Sequence, residues 1–370
     1  MPALRGETFR PSKSFPVIQE KGVQIAMLLA RSLTGVVERA ERRDTRVPAP
    51  GVDAYYSLDS VEKRAPVKNI SPTGVYLYTA DRWPPGTTLL LTMKGRRHSQ
   101  ADLEPQVSIP AKVVRHDDEG IGMEFVLENV STADWLALFS KAVSLNQEND
   151  PIRVFRIAKA FAFLVRVTPF AEDEILNVII QGMSFERTER AIDIVLKAEM
   201  LLAIQKAIPA VDVPPTLVRQ ILEVGSRNRD EQMQRYWAGM LASTCLDSPE
   251  SRARAAFVAL LSELTPIHLR ILHAGGTRGI QAGWKPGSSL SESFYCTMNE
   301  IKAITGSVSA GEIEFALDYL DRLGLLEMTI KVPGSDRINL TPTLLGMKLY
   351  ARCSGLANQL SELEAAKVEV

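Results

Sequence analysis

From residue 46 to residue 127 the apolar residues come in short β-type runs: VDAYYSL, APVKNI, GVYLYTA, TTLLLTM, VSIPAKVVRH and IGMEFVL. Pro, Gly, Asp and Asn separate them, and such breaks supply turns. The pattern predicts a small antiparallel β-barrel or sandwich. The polar stretch MKGRRHSQADLEPQ, with Lys94, Arg96, Arg97 and His98, reads as a hairpin loop within it.

Elsewhere the spacing is helical. A disordered arm, residues 1–18, is expected to lead into an amphipathic helix at VQIAMLLARSLTGVVERA. STADWLALFSKAV opens on an ST cap and offers Trp135, Leu136, Leu138, Phe139 and Val143 for one face, so a helix should plug or flank the strands. LNQENDP, 145–151, marks a boundary. RVFRIAKAFAFLVRV, 153–167, reads as a connecting helix with one buried face rather than one lying on a membrane. PAVDVPP, 209–215, is an internal linker, followed by helices at LVRQILEVGS, DEQMQRYWAGMLAST and SRARAAFVALLSEL. Trp237 and Ala238 are expected to be core residues at a helix crossing.

Near the end, AGEIEFALDYLDRLGLL puts Ile313, Ala316, Leu317, Leu320 and Leu323 on one stripe. MTIKVPGSDRINL then reads strand, turn, strand, and TPTLLGMKLYARC starts a helix with Thr341 as cap and Pro342 at its first position. Helix, β-wing, helix is a winged-helix-like order. The predicted architecture is therefore multidomain: an arm and helix over 1–37, a barrel over 38–145, a helical connector over 151–208, and a mainly α-helical domain over 215–355 ending in the winged-helix-like unit.

Length and charge set limits on function. With 370 residues, 45% of them hydrophobic, the chain can build two or three cores. Forty-three Lys plus Arg oppose 44 Asp plus Glu, for a net charge of -1, so any anion site must be local. Cys245, Cys296 and Cys353 lack CxxC spacing and suit buried thiols in a reducing compartment. His268 and His273 fall on an apolar helical stretch, which favours core or surface roles over metal. The first twenty residues lack the apolar centre of a secretory signal, and no run has the length of a membrane span. The expectation is a cytoplasmic protein. No nucleophile elbow, P-loop, metal-helix spacing or paired carboxylates stand out, so a binding protein is expected rather than an enzyme, with no metal and no cofactor.

Two motifs carry candidate chemistry. ERRDTRV, 41–47, sets Arg42 and Arg46 in R-x-x-x-R spacing, and NISPTG, 69–74, sets Asn69, Ser71 and Gly74 as N-x-S-x-x-G. With Val47 after the second arginine and Gly120, Gly122 and Phe125 as a late G-x-G-x-x-F, the segment 38–145 resembles PilZ domains, bacterial receptors for cyclic di-GMP. The resemblance implies that Arg42 and Arg46 clasp the ligand from one side while Asn69 and Ser71 contact it from the barrel. Gly74 would permit close approach, and Arg43, adjacent, has a less defined part. The chemistry agrees: a guanidinium forks onto phosphate or onto guanine O6 and N7, and stacks on the base.

The stretch 217–353 resembles the Abi-alpha family, through residues such as Trp237, Ala238, Leu241, Leu320, Leu323, Gly324, Thr341 and Gly346. That family brings helices but no catalytic motif. The combined reading is a cyclic di-GMP receptor whose barrel is coupled to a helical domain contacting an unidentified protein partner. The alternatives are a non-binding scaffold or phage-defence interaction protein and a winged-helix transcription regulator. Against DNA stand Glu312, Glu314, Asp318 and Asp321 on the helix before the wing, where only Arg322 is basic.

Overall fold

The computed structural model describes residues 47–49, 51–58, 61–95, 106–127, 130–145, 150–168, 182–207, 213–246, 253–285, 288, 290, 293–307, 309–327 and 336–356. The expected arm, the first helix, and Arg42, Arg43 and Arg46 lie outside these residues. Two compact units meet at Ala158 and Lys159.

In the first unit the strands are β1 (Val47–Pro48), β2 (Asp53–Leu58), β3 (Val61–Ser71), β4 (Gly74–Tyr78), β5 (Thr88–Lys94), β6 (Gln106–His116) and β7 (Gly120–Phe125). Strands β2 to β7 close on themselves in the order β3-β2-β5-β6-β7-β4 and back to β3, every pair antiparallel. Closure removes the open edges that a sandwich would have to protect. Inward residues on alternate positions fill the barrel: Ala54 and Tyr56 from β2, Leu91 and Met93 from β5, Ile109, Ala111 and Val113 from β6, and Ile121, Met123 and Phe125 from β7. Lys94 pairs with Gln106, so MKGRRHSQADLEPQ does join two hairpin strands; its residues 96–105 lie outside those described.

Helix α1 (Thr132–Leu145) follows the barrel, and the backbone N–H of Asp134 donates to the Ser131 hydroxyl at its start. Trp135, Leu138, Phe139 and Ala142 form its buried face, while Leu136 and Val143, offered by the sequence for that face, are only half-buried. Phe139 and Trp135 meet Phe155 of helix α2 (Pro151–Val167) at ring centroid distances of 4.9 and 6.3 Å, and Phe125 of β7 meets it at 5.2 Å. The division between the units falls inside α2.

The expected single buried face of α2 is corrected. Ile152, Val154, Phe155, Ile157, Ala158, Ala160, Phe161, Phe163, Leu164 and Val167 are all buried, and so are Arg153 and Arg156. Apolar residues occupy neighbouring as well as i+3 and i+4 positions, so burial extends nearly all round.

The second unit is mainly helical: α3 (Phe185–Ile204), α4 (Pro215–Gly225), α5 (Glu231–Thr244), α6 (Ala253–Ser262), α7 (Pro266–Gln281), α8 (Met298–Thr305), α9 (Ala310–Arg322) and α10 (Leu344–Cys353). Pro266 sits at the first turn of α7, where its missing N–H costs nothing. Trp237 and Ala238 on α5 are fully buried, and the three cysteines are free and buried, as the sequence suggests.

Two readings at the end of the chain change. Thr341 does not cap the last helix: its hydroxyl accepts from Phe294 N at 2.8 Å, while Pro342 forms a bridge with Leu326. The cap is Thr343, whose hydroxyl accepts from Gly346 N at 3.1 Å, because Thr341 and Pro342 are already committed to an extended pairing. Strand β9 (Arg337–Asn339) pairs with β8 (Tyr295–Thr297), a strand too short to show in the apolar pattern. The first half of the expected wing, 328–335, lies outside the described residues.

Candidate ligand-binding site

NISPTG lies where β3 turns into β4. Ser71 pairs with Gly74, Ile70 with Val75 and Asn69 with Tyr76. Ile70 and Val75 point into the barrel, so the alternation of a strand puts Asn69 and Ser71 together on the outer face. One residue earlier the register slips between Val67 and Asn69, making Lys68 a bulge that re-aims the strand's end.

The turn itself is held on several sides. The Ser71 hydroxyl donates to the Gly74 carbonyl at 3.2 Å, the Trp135 indole N–H donates to the Pro72 carbonyl at 2.7 Å, and Phe125 N–H donates to the Thr73 carbonyl at 2.8 Å. A Cβ on Gly74 would stand 2.4 Å from the Met123 carbonyl oxygen of β7. The glycine is therefore required by the approach of β4 to β7. Gly120 behaves alike, since a Cβ there would lie 2.0 Å from the Leu77 carbonyl oxygen. The late G-x-G-x-x-F is the closing seam of the barrel, with Gly120, Gly122 and Gly74 on the β4–β7 pairing.

The chain after Arg46 enters the sheet beside this turn. Val47 pairs with Ile70 and Pro48 with Asn69, and Ala49 N–H donates to the Lys68 carbonyl at 3.3 Å. Arg46 immediately precedes Val47, and Arg42 is four residues further back, a span of at most about 14 Å at roughly 3.3–3.6 Å per residue.

Register reveals a row that the sequence does not. Asn69 of β3 stands opposite Tyr76 of β4, Tyr76 opposite Gly122 of β7, and Gly122 opposite Arg115 of β6. The four share one level of the outer surface. Arg115 is exposed, and its stem lies over Gly122: a Cβ there would come within 3.0 Å of Arg115 Cγ and 3.1 Å of Nε. Gly122 thus leaves room for a guanidinium side chain to lie flat across the sheet.

At the rim, Lys68 Nζ sits 5.2 Å from the Tyr76 ring centroid and 5.0 Å from that of Tyr78, and is ion-paired with Glu119. The hydrogen bond to Glu119 raises its pKa. Tyr76 donates its phenol to Asp117, and burial with that bond pushes the phenol up to about 12. The same bond holds the Asp117 carboxyl below the ordinary carboxylate range. Because the folded-state value is depressed, Asp117 contributes stability above its unfolded pKa and loses it as pH falls through the folded value. The thermal unfolding midpoints of wild type and Asp117→Asn should therefore differ near neutral pH and converge as pH drops below about 4. Midpoints that stay apart at low pH would contradict this.

Among the described residues no group of three His, Cys, Asp or Glu could hold a metal ion. His268 and His273 are both lowered in pKa by burial, and His268 is engaged through Nδ1 in the N-terminal cap of α7. Among the described residues no helix is long and apolar enough to cross a membrane.

A closed six-stranded antiparallel barrel, bearing a row of aligned residues on its outer wall and followed by a mainly helical unit, defines a two-domain protein. Comparison with family models gives the two domains: residues 39–139 match the PilZ domain, and residues 187–347 match Abortive infection alpha. The chain carries a PilZ domain followed by an Abi-alpha-like helical domain. A search of curated proteins returns no match.

Proposed function

We propose that the protein is a cytoplasmic cyclic di-GMP receptor in which the barrel binds the nucleotide and the helical domain contacts a protein partner. The observation that carries this reading is the pairing of β1 with β3, which delivers the chain directly after Arg46 to the edge of Asn69 and Ile70. Arg42 and Arg46, with Arg43 beside them, would fork onto the phosphates and guanines, and Asn69, Ser71 and Gly74 would form the floor. Arg115, three strands along the same row, would take the far side of the ligand.

A non-binding scaffold is favoured by one observation: Ser71 and Gly74 already serve the barrel's own turn and seam. That reading has no use for two arginines spaced four apart, nor for Arg115. Arg115→Ala is therefore expected to weaken cyclic di-GMP binding about tenfold, the worth of one charge-assisted contact, without moving the unfolding midpoint. Unchanged affinity would remove Arg115 from the site.

Within the barrel unit, coupling would run through Trp135. Trp135 holds the Pro72 carbonyl of the NISPTG turn and lies against Phe155 of α2. Hydrogen exchange on the full chain, with and without cyclic di-GMP, tests receptor and coupling together. Added nucleotide should protect residues 69–74 and alter exchange along 151–167. Exchange that does not change anywhere contradicts the proposal.

A further inference from the structure

The outer face of α9 carries an aromatic ledge among carboxylates. Its inner stripe, Ile313, Ala316, Leu317 and Leu320, is buried, as an amphipathic helix requires. On the other side Phe315 is 67% exposed. A lone exposed phenylalanine needs no explanation, but this one belongs to a ladder. Its ring stacks on Tyr319 with centroids 6.5 Å apart and 15° between planes, and Tyr319 stacks on the buried His268 of α7 at 5.0 Å and 28°. The Tyr319 hydroxyl donates to Glu263 at 3.1 Å.

The space beside Phe315 is open. Helical side chains lean toward the N-terminus, over the residue four positions earlier. Here that residue is Gly311, where a Cβ would meet nothing nearer than the Ser309 hydroxyl at 3.9 Å. Glu312, Glu314 and Asp318 rim the ring at exposed positions, with Arg322 paired to Asp318.

A flat aromatic surface edged by carboxylates suits a guanidinium, which stacks on the ring and forks onto carboxylate oxygens. A compact, strongly hydrated ammonium gains less from the ring, and a phosphate backbone is repelled. We propose that the Phe315 face of α9 docks an arginine-bearing basic segment of a partner protein. The proposal rests on the reading of the helical domain as a protein-contacting one, and is independent of nucleotide binding at the barrel.

The test uses the full chain and a fluorescent peptide of alternating arginine and glycine, followed by anisotropy, beside a lysine–glycine peptide of equal length and charge. The arginine peptide should bind about tenfold more tightly than the lysine peptide. Phe315→Ala should abolish that preference with no change in the unfolding midpoint, since the ring is largely in solvent. Asp318→Asn together with Glu314→Gln should weaken binding and flatten its salt dependence. Equal binding of both peptides, no binding of either, or a preference that survives Phe315→Ala overturns the proposal. Cyclic di-GMP uptake measured on the same sample separates its failure from failure of the receptor reading.

Discussion

Arg46→Ala in the full chain is expected to lower cyclic di-GMP affinity at least about 100-fold, and Arg42→Ala to do the same. Each guanidinium would supply a forked, charge-assisted contact plus stacking, together worth about 3 kcal/mol. The next residue, Val47, pairs with Ile70, next to Asn69 of the row that continues through Tyr76, Gly122 and Arg115. The unfolding midpoint should stay put, because the barrel closes through β2 to β7. Gly74→Ala should behave differently and lose both binding and stability, since its Cβ would collide with the Met123 carbonyl. Equilibrium binding beside thermal unfolding distinguishes the two. Affinity within about twofold of wild type for both arginine variants would place the ligand elsewhere, well below the effect of losing even one charge-assisted bond.

The largest stability effect is expected at Trp237. Its side chain is fully buried and lies against Gly225 of α4, where a Cβ would come within 2.9 Å of the indole Cγ. Trp237→Ala removes a large ring from a packed crossing and should cost about 3–5 kcal/mol. The indole N–H meets no acceptor among the described residues, so Trp237→Phe should cost distinctly less. Denaturant unfolding of the helical unit reads both. A loss under about 1 kcal/mol for the alanine variant would contradict the crossing as described.

The barrel strands were legible because each places apolar residues inside and ends at a turn former. Where that signal is missing the reading falls short: β3 starts at Val61, not near Ala65, because Val61, Glu62 and Arg64 are exposed and the strand is held there by pairing with β2. Strand β8 is three residues long and exists only through β9. The cap of α10 moved from Thr341 to Thr343 because a tertiary pairing claimed the first threonine.

The site divides in the same way. Asn69 and Ser71 could be paired from their i, i+2 spacing, which fixes one face of a strand. Arg115 could not, since its place opposite Gly122 depends on a register shift between Val113 and Arg115, and its row with Asn69 on the pairing of β7 with β4, strands far apart in sequence. Gly74 was legible as a position but not as a cause: the neighbour it accommodates is the Met123 carbonyl, some fifty residues on. Closure of the barrel, rather than any local spacing, brings these groups together.

The central claim is tested most directly by calorimetric titration of the full chain with cyclic di-GMP, with GMP as the control nucleotide. Saturable heat with cyclic di-GMP, none with GMP, and loss of the signal in Arg42→Ala and Arg46→Ala is the predicted result. A folded chain that gives no cyclic di-GMP heat, or the same isotherm in wild type and both arginine variants, would contradict the account.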